Sequence, residues 1–578
     1  MRFNFLIGGE AGFGIMTSGL VFSKIATRSG YFIFDYAEYP SLIRGGHNAY
    51  EVAVSDTPIS ATIQNIDLLV CLNKETFDKH KHRLNKNSFL IYDPDQFQVD
   101  IEVIKIEIPF IQIKNQEKIQ QQMLNSVALA ASVSFLGGDS KIYDDLVREQ
   151  FNNKGEDVVS FNLKLADIGR EYVEKSGVSK LSVLNLKENP EKKLVMTGNE
   201  VFSLATVPAD CRHYASYPMT PASSVLGTLA SWQYQNGMVV RHPEDEISVI
   251  NSALGSSFAG VRSAVGTSGG GFALMVEALS YAGIAEIPIV VFLSMRPGPA
   301  TGMPTWTEQG DLLFAVNSGH GEFPKIILAP GDALEMAQLT LEAFDIADIY
   351  QTPVIILSDK LLSESHYTLF KKEIERLFEE YKPKRGKIVQ KPSLSPYLRY
   401  KIEPDGISEM LLPGHEGEYY QANSYEHLED SHTTEDDQER KKQVEKRNKK
   451  HLTYLESNFK KPKVYGDPNS EIVFVSWGSM KGTLLEAMSC LNTDHQIDSY
   501  MVHFTHLYPL DEDLIQSIFS DLKGKRLILI ENNSHGQFGQ LLRQLTGVDF
   551  KEKLLKYDGR PIFYHEIVEY VLAGNKGK

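Results

Sequence analysis

The sequence predicts an α/β protein of three domains, and three observations carry that prediction. Short apolar runs such as Ile287-Pro-Ile-Val-Val-Phe-Leu293 alternate with helix-length stretches, the pattern of parallel strands joined by crossover helices. Glycine turns follow the strands, at Gly8-Gly-Glu-Ala-Gly-Phe-Gly14 and Thr267-Ser-Gly-Gly-Gly271, where a strand passes tightly into a helix. A chain of 578 residues exceeds what one core serves, and a 42% hydrophobic content fills several.

Composition narrows the function classes. A formal net charge of −16 argues against a nucleic-acid surface, which needs clustered Lys and Arg to displace phosphate counterions. Cys71, Cys211 and Cys490 have no C-x-x-C spacing, so they build neither a disulfide framework nor a four-thiolate iron–sulfur cluster. The start, Met1 to Gly8, is too short an apolar run for a signal sequence, and no stretch approaches a membrane span, so no membrane and a cytoplasmic location are expected.

The chain opens with a strand, Phe3 to Ile7, the glycine turn, and a helix from Met16 to Arg28. Such a turn presents backbone N–H groups to a phosphate. It reads equally as a plain βα turn, because Thr17 stands where a dinucleotide fingerprint needs its third glycine. Tyr39-Pro-Ser-Leu-Ile-Arg-Gly-Gly-His-Asn48 precedes an alternating strand at Tyr50 to Val54, and Ile66 to Leu72 reads as a buried strand. Residues 151–193 are polar apart from helix-like Leu163 to Val173, and read as a domain end and linker.

A new domain opens near Leu194, with a helix over Gly198 to Val207. Tyr217-Pro-Met-Thr-Pro221 and Arg296-Pro-Gly-Pro-Ala-Thr-Gly-Met-Pro-Thr305 bound its most informative run. In an open parallel sheet the ligand crevice lies beyond the carboxyl ends of the strands, which places Thr220 and Arg296 to converge on one small anion. An Arg fork binds a carboxylate bidentately and a hydroxyl adds a further bond, as a 2-oxo acid requires. Glu246 lies in the small-residue segment Glu244 to Gly260, which reads as a tightly packed helix, so a carboxylate near its start is expected to be buried and raised in pKa. Taken alone, it is only a helix-start carboxylate stabilised by the dipole.

Strands at Lys325 to Leu328 and Pro353 to Leu357 flank a helix beginning at Pro330-Gly-Asp-Ala, while His320 reads as a loop residue satisfying backbone groups. From Glu373 to Lys461 the composition turns charged, through Glu426 to Glu439 and then Arg440-Lys-Lys-Gln-Val-Glu-Lys-Arg-Asn-Lys-Lys450. Such a run predicts a solvated helix or an exposed linker, with a partner-docking face as the alternative. The last domain begins near Ser470, with strands at Ile472 to Trp477, Gln496 to Val502 and Arg526 to Glu531, and a helix opened by Asn532-Asn-Ser-His-Gly-Gln-Phe-Gly539.

Together these segments resemble the α subunit of the 2-oxoacid:ferredoxin oxidoreductases, most nearly the 2-oxoglutarate branch. The family's Tyr-Pro-Ile-Thr-Pro is matched at 217–221 with Met219 for Ile. Its Glu-Asp-Glu-Ile, Thr-Ser-Gly-Gly-Gly-Phe and Arg-x-Gly-Pro-Ser-Thr-Gly-x-Pro-Thr segments are matched at 244–247, 267–272 and 296–305, with Ala300 for Ser. The glycine turn with Arg44-Gly-Gly-His47 resembles the family's γ domain, here fused ahead of the α part. Arg44 and His47 read equally as functional or as loop-pinning residues.

The resemblance implies a γ-type domain at 1–190, a doubly wound pyrimidine-binding domain of thiamine enzymes at 194–372, a charged insertion at 373–465, and a transketolase C-terminal-like domain at 466–578. In that last domain Ser479, His503, His506 and His535 are expected as loop or interface residues. Glu246 is implied as the carboxylate that hydrogen-bonds the aminopyrimidine of thiamine diphosphate, with Thr220 and Arg296 on the substrate carboxylate and Thr305 shaping the pocket. Tyr217, Pro218, Ser268, Gly269 and Gly270 fall on the thiamine side, and Gly9, Gly12, Gly14 and Arg44 on the coenzyme A side.

No Gly-Asp-Gly followed by Asn is present to hold magnesium and diphosphate, Gly331-Asp-Ala having the wrong continuation. The implied partner is therefore a β subunit that carries magnesium, the diphosphate site and a [4Fe–4S] cluster, in a dimer of αβ units with ferredoxin as electron acceptor. The implied reaction is oxidative decarboxylation of 2-oxoglutarate to its acyl-CoA. Pyruvate, branched-chain or aryl 2-oxo acids are alternatives within the class, and a noncatalytic α/β scaffold is the alternative outside it.

Overall fold

The computed structural model describes residues 1–41 and 46–575, so Arg44 lies outside the described residues. The chain divides into two compact units. The first gathers three separate stretches, Met1–Thr197, Glu364–Ile374 and Phe563–Lys578. Its eight-stranded sheet runs in the order 104–107, 89–92, 68–71, 2–10, 47–55, 32–38, 366–370, 193–197. The strands from 104–107 to 2–10 are parallel and the pairings from there onward antiparallel.

Alternation along the strand Arg2–Glu10 explains how both faces are covered. Phe3, Phe5 and Ile7 join a core with the helices Ile15–Arg28 and Leu124–Phe135, and Phe5 stacks on Phe22 with ring centroids 3.9 Å apart. Leu6 faces the other way, among Leu69, Phe77 and Leu90. Each such side chain contributes roughly 1.5–3 kcal/mol on burial. Residues 151–193, expected as a domain end and linker, instead contain the 20-residue helix Glu156–Lys175, which buries Leu165, Ala166, Gly169 and Val173. Its apolar positions recur every three or four residues between Lys and Glu, which is the mark of a one-faced helix.

The second unit comprises Gly198–Ser363 and Glu375–Ile562. Its larger sheet has the order 506–508, 326–328, 353–359, 289–295, 263–267, 213–215, 239–241, parallel except at the 506–508 edge. A five-stranded sheet follows, in the order 463–466, 499–504, 472–477, 526–531, 552–555. One apolar cluster, including Val265, Val291, Trp477, Phe504 and Phe538, spans both sheets.

The charged stretch corrects its expectation. The helix Asp437–Ser457 keeps Lys441, Lys442 and Glu445 exposed but buries Gln443, Lys446, Arg447 and Lys450. The cause is Glu286, fully buried at the left-handed end of the helix Gly269–Ala285. Its Oε1 lies 2.5 Å from Lys446 Nζ and its Oε2 2.6 Å from Lys450 Nζ, while Arg399 donates to its main-chain carbonyl at 2.8 Å. Two lysines four residues apart share one helix face, so a single carboxylate receives both. Burial pushes the Glu286 carboxyl up, but the Lys446, Lys450 and Arg399 charges outweigh it and hold it below the usual range. Burial pulls Lys446 down to about 7 and Lys450 to about 8.

Candidate active site

The strand order places the sequence-predicted residues at one edge of the large sheet. The strands 289–295, 263–267 and 213–215 are consecutive neighbours, and their carboxyl ends lead into Arg296, Ser268 and Tyr217 respectively. The strand 213–215 has 239–241, which follows it in sequence, on one side and 263–267 on the other, so the winding reverses there and opens a crevice.

Glu246 is the first residue of the helix Glu246–Phe258. Asp245 caps that helix, its side chain accepting from Ser248 N at 2.8 Å, which leaves the Glu246 carboxylate unused by the helix start. The residue is 4% exposed, and its Oε1 is buried with no hydrogen-bond partner. It faces Gly271, where an added Cβ would stand 2.8 Å from Glu246 Cδ and collide with Thr267 Oγ1. The glycine run therefore lets the backbone approach the carboxylate. Ser268, fully buried beside it, also has an unpartnered Oγ. A buried acceptor without a donor is costly, and an N–H from a bound group would satisfy it.

Arg296 is half-buried and donates through Nη1 to the Thr220 carbonyl at 2.7 Å. The structure thus brings Thr220 and Arg296 together, through the main chain of Thr220 rather than its hydroxyl. Burial pulls the Arg296 guanidinium below its ordinary value, and the Asp311 charge opposes that shift. Gly270 lies against Met219, whose Cε is 3.9 Å from an added Cβ. Tyr217 and Pro218 are exposed, Tyr217 resting near His242 with ring centroids 5.8 Å apart. Thr305 is buried with an unpartnered Oγ1. The loop leading to it folds back at Met303 N→Pro297 O, 3.0 Å, and Gly302 has φ 53° there with no room for a Cβ against Pro297 O.

Two carboxyl groups in this crevice drew no assignment from the sequence. Asp311 packs on Gly269, its Oδ2 2.6 Å from where a Cβ would stand, and that oxygen is buried without a partner. Glu308 is half-buried three residues earlier. Burial and the Asp311 charge push Glu308 up to about 7; burial pushes Asp311 up to about 6 against the pull of Arg296. An acidic pair in an otherwise ordinary loop gives no periodic signal, and only the fold shows that it is desolvated.

The glycine turn of the first unit is described by itself. Gly9 sits in the strand, where a Cβ would crowd Phe13, Ile15 and Leu72. Gly12 has φ 95° in open space and Gly14 has φ 72° as the cap of the helix Ile15–Arg28, whose first turn has no side-chain cap and no acidic residue. His47 is buried, its Nε2 3.0 Å from that of His80, and burial lowers it to about 4. His320 is exposed, its backbone N–H donating to Ser280 Oγ. Ser479 bonds Asp359; His503 is buried against Ser476 Oγ at 3.2 Å, His506 pairs with Glu342 at 3.2 Å, and His535 is exposed beside Ser534.

Residues 205–449 match the family described as pyruvate flavodoxin/ferredoxin oxidoreductase, thiamine diP-bdg, and residues 4–172 the one described as pyruvate ferredoxin/flavodoxin oxidoreductase. The chain is 31% identical to the 2-oxoacid:ferredoxin oxidoreductase subunit alpha of Saccharolobus solfataricus, over 99% of this chain and 98% of that one. It is 42% identical to the 2-oxoglutarate synthase subunit KorA of Archaeoglobus fulgidus, over 29% of this chain and 49% of that one. A solved structure of 2-oxoglutarate:ferredoxin oxidoreductase from Magnetococcus marinus, with 2-oxoglutarate, coenzyme A and succinyl-CoA bound, superposes with a TM-score of 0.91 at 28% identity, covering 99% of each chain. Among the described residues, no helix is long and apolar enough to cross a membrane.

Proposed function

The chain belongs to the 2-oxoacid:ferredoxin oxidoreductase family, and from that premise we propose that it is the α subunit, with a fused γ-type part, of an enzyme that oxidatively decarboxylates 2-oxoglutarate to succinyl-CoA and carbon dioxide. The observation that carries this reading is the buried, unpartnered Glu246 carboxylate beside Gly271, with Arg296 at the end of a neighbouring strand.

Thiamine diphosphate, when bound, supplies the carbon nucleophile and the electron sink for the decarboxylation. Glu246 Oε1 fits its aminopyrimidine, sharing a proton with the ring nitrogen and thereby holding the ring in its site. Ser268 Oγ is a second free polar atom in the same floor. Arg296 keeps Nε and Nη2 for the 1-carboxylate of the substrate while Nη1 stays on the Thr220 carbonyl, so the fork is oriented before the substrate arrives. The Thr220 hydroxyl adds a bond to that end, and Thr305 shapes the far side of the pocket. Tyr217 and Pro218 form its exposed lip, and Gly269 and Gly270 its helix-start wall.

Gly12 and Gly14 present the open end of the helix Ile15–Arg28 to a coenzyme A phosphate. A separate β subunit supplies magnesium, the diphosphate site and a [4Fe–4S] cluster, and electrons pass to ferredoxin from a dimer of αβ units. The names of the Archaeoglobus relative and of the Magnetococcus structure support 2-oxoglutarate over pyruvate.

The test is viologen reduction by the chain co-expressed with its β partner, offered 2-oxoglutarate or pyruvate, with and without coenzyme A. Coenzyme A-dependent reduction with 2-oxoglutarate is the expected result. A preference for pyruvate moves the substrate. No reduction with any 2-oxo acid, from a complex that contains thiamine diphosphate and intact clusters, overturns the reading.

A further inference from the structure

Two main-chain bonds close the loop from Arg296 to Trp306 on itself, Met303 N to Pro297 O at 3.0 Å and Trp306 N to Met303 O at 3.1 Å, while Thr301, Gly302 and Met303 are exposed. Further support reaches it from residues 556–560, which follow the strand 552–555 of the five-stranded sheet in the same unit.

This tail grips the loop at three residues. The Gly559 carbonyl accepts from Thr307 N at 3.1 Å. The Arg560 guanidinium carbon lies 3.2 Å from the centroid of the Trp306 ring, a cation in contact with the face of the indole. Gly559 has φ 81°, and a Cβ there would stand 3.0 Å from Met303 Cε and 3.3 Å from Trp306 Cβ, so glycine is what lets the tail lie this close.

The tail is itself anchored. Asn532 Nδ2 donates to Lys556 O at 2.8 Å and to Arg560 O at 3.2 Å, and Lys556 N donates to Glu531 O at 3.2 Å. Asn532 also exchanges bonds with Gln309, its N–H donating to Gln309 Oε1 at 3.0 Å and its carbonyl accepting from Gln309 N at 2.7 Å. Loop and tail therefore hang from the same strand end, that of 526–531, in a closed ring of contacts.

Thr305 stands immediately before the gripped residues. It is 6% exposed and its Oγ1 has no partner. A β-branched side chain has few χ1 choices, so the direction of that hydroxyl follows the main chain. Fixing Trp306 and Thr307 fixes the main chain on one side of it. Arg560 as simple cover for the indole would explain the stack, but not the further grip on Thr307 and Met303.

We propose that Arg560, stacked on Trp306, is a positioning residue for the substrate pocket: the tail 556–560 holds the main chain that aims the Thr305 hydroxyl, and so sets the affinity for the 2-oxo acid. This rests on the reading of Thr305 as a residue of that pocket. Arg560 acts through Trp306, and no bond is made or broken at it.

The test uses the chain complexed with its β partner, in steady-state viologen assays with 2-oxoglutarate, with a melting temperature taken for each variant. Arg560→Leu should raise KM about five- to tenfold while kcat falls less than about twofold. Arg560→Lys keeps the charge without the flat fork and should recover part of the loss, leaving KM about two- to threefold above wild type. Trp306→Leu should match Arg560→Leu, and the double variant should lie within about twofold of either single one, because both remove the same contact. Arg560→Gln gives the same reading should the leucine variant not assemble. A wild-type KM in the Leu or Gln variant, a fall in kcat or melting temperature alone, or effects that multiply in the double variant overturns the proposal. Thr305→Val separates the two levels. If its KM is that of the wild type, the reading of Thr305 itself fails; if its KM rises while Arg560→Leu changes nothing, only the role of the tail fails.

Discussion

The Arg296 guanidinium donates to the Thr220 carbonyl at 2.7 Å, tying together two strand ends that lie 76 residues apart in sequence. One N–H of the fork is thereby spent on orientation. Arg296→Lys should lose both the tether and the bidentate geometry. We expect KM for the 2-oxo acid to rise about 30- to 100-fold, corresponding to roughly 2–3 kcal/mol, in steady-state viologen assays.

Glu246→Gln keeps the size and the cap of the helix but cannot hold the proton in question. Turnover should fall by at least about a thousandfold while the complex with the β partner elutes unchanged from a sizing column. Normal turnover in this variant would sink the assignment.

Gly271→Ala tests the approach of the backbone to that carboxylate. The new methyl group would collide with Glu246 and Thr267, neither of which has space to yield. Activity should drop about a hundredfold or more with a melting temperature lowered by a few degrees. The partner test is Gly227→Ala, where nothing lies within 4 Å of the added methyl, and that variant should retain full activity.

Glu286→Gln removes the one carboxylate that holds Lys446 and Lys450 in the interior. Leaving two ammonium groups buried should destabilise the unit by about 3–5 kcal/mol in denaturant unfolding. A change below about 1 kcal/mol would show that water or rearrangement solvates the lysines.

Stability should also depend on pH through Glu308 and Asp311. Both carboxyls are raised in the folded state, so the folded chain binds more protons than the unfolded one between roughly pH 4 and 7, and stability falls as pH rises through that window. Glu308→Gln should therefore unfold at a higher temperature than the wild type at pH 8, with the difference vanishing near pH 4.

The crevice was legible because its residues sit where topology puts function. Thr267 to Gly271 and Arg296 each follow an apolar run, and strand ends in a parallel sheet converge whatever the intervening helices contain. The buried charges were not legible. A run such as Arg440 to Lys450 has the same composition whether one face is solvated or packed, and Glu286, the residue that decides it, lies 160 positions from Lys446. Asp311 was hidden for the same reason, since its fixed position depends on Gln537, 227 positions from the Gly310 carbonyl that it holds. Periodicity reports local faces, and these contacts are nonlocal.

The eight-stranded sheet has a consequence for the order in which the protein is made. Among the described residues, the strand 193–197 reaches the sheet only through 366–370, which itself pairs with 32–38. On the ribosome, the edge of 32–38 stays open until a further stretch of the second unit has been synthesised, and 193–197 waits with it. A recombinant fragment ending at Thr197 would keep that edge permanently bare, an invitation to pair with a neighbouring copy. Supplying residues 364–374 as a separate peptide should cap the edge and return such a fragment to solution.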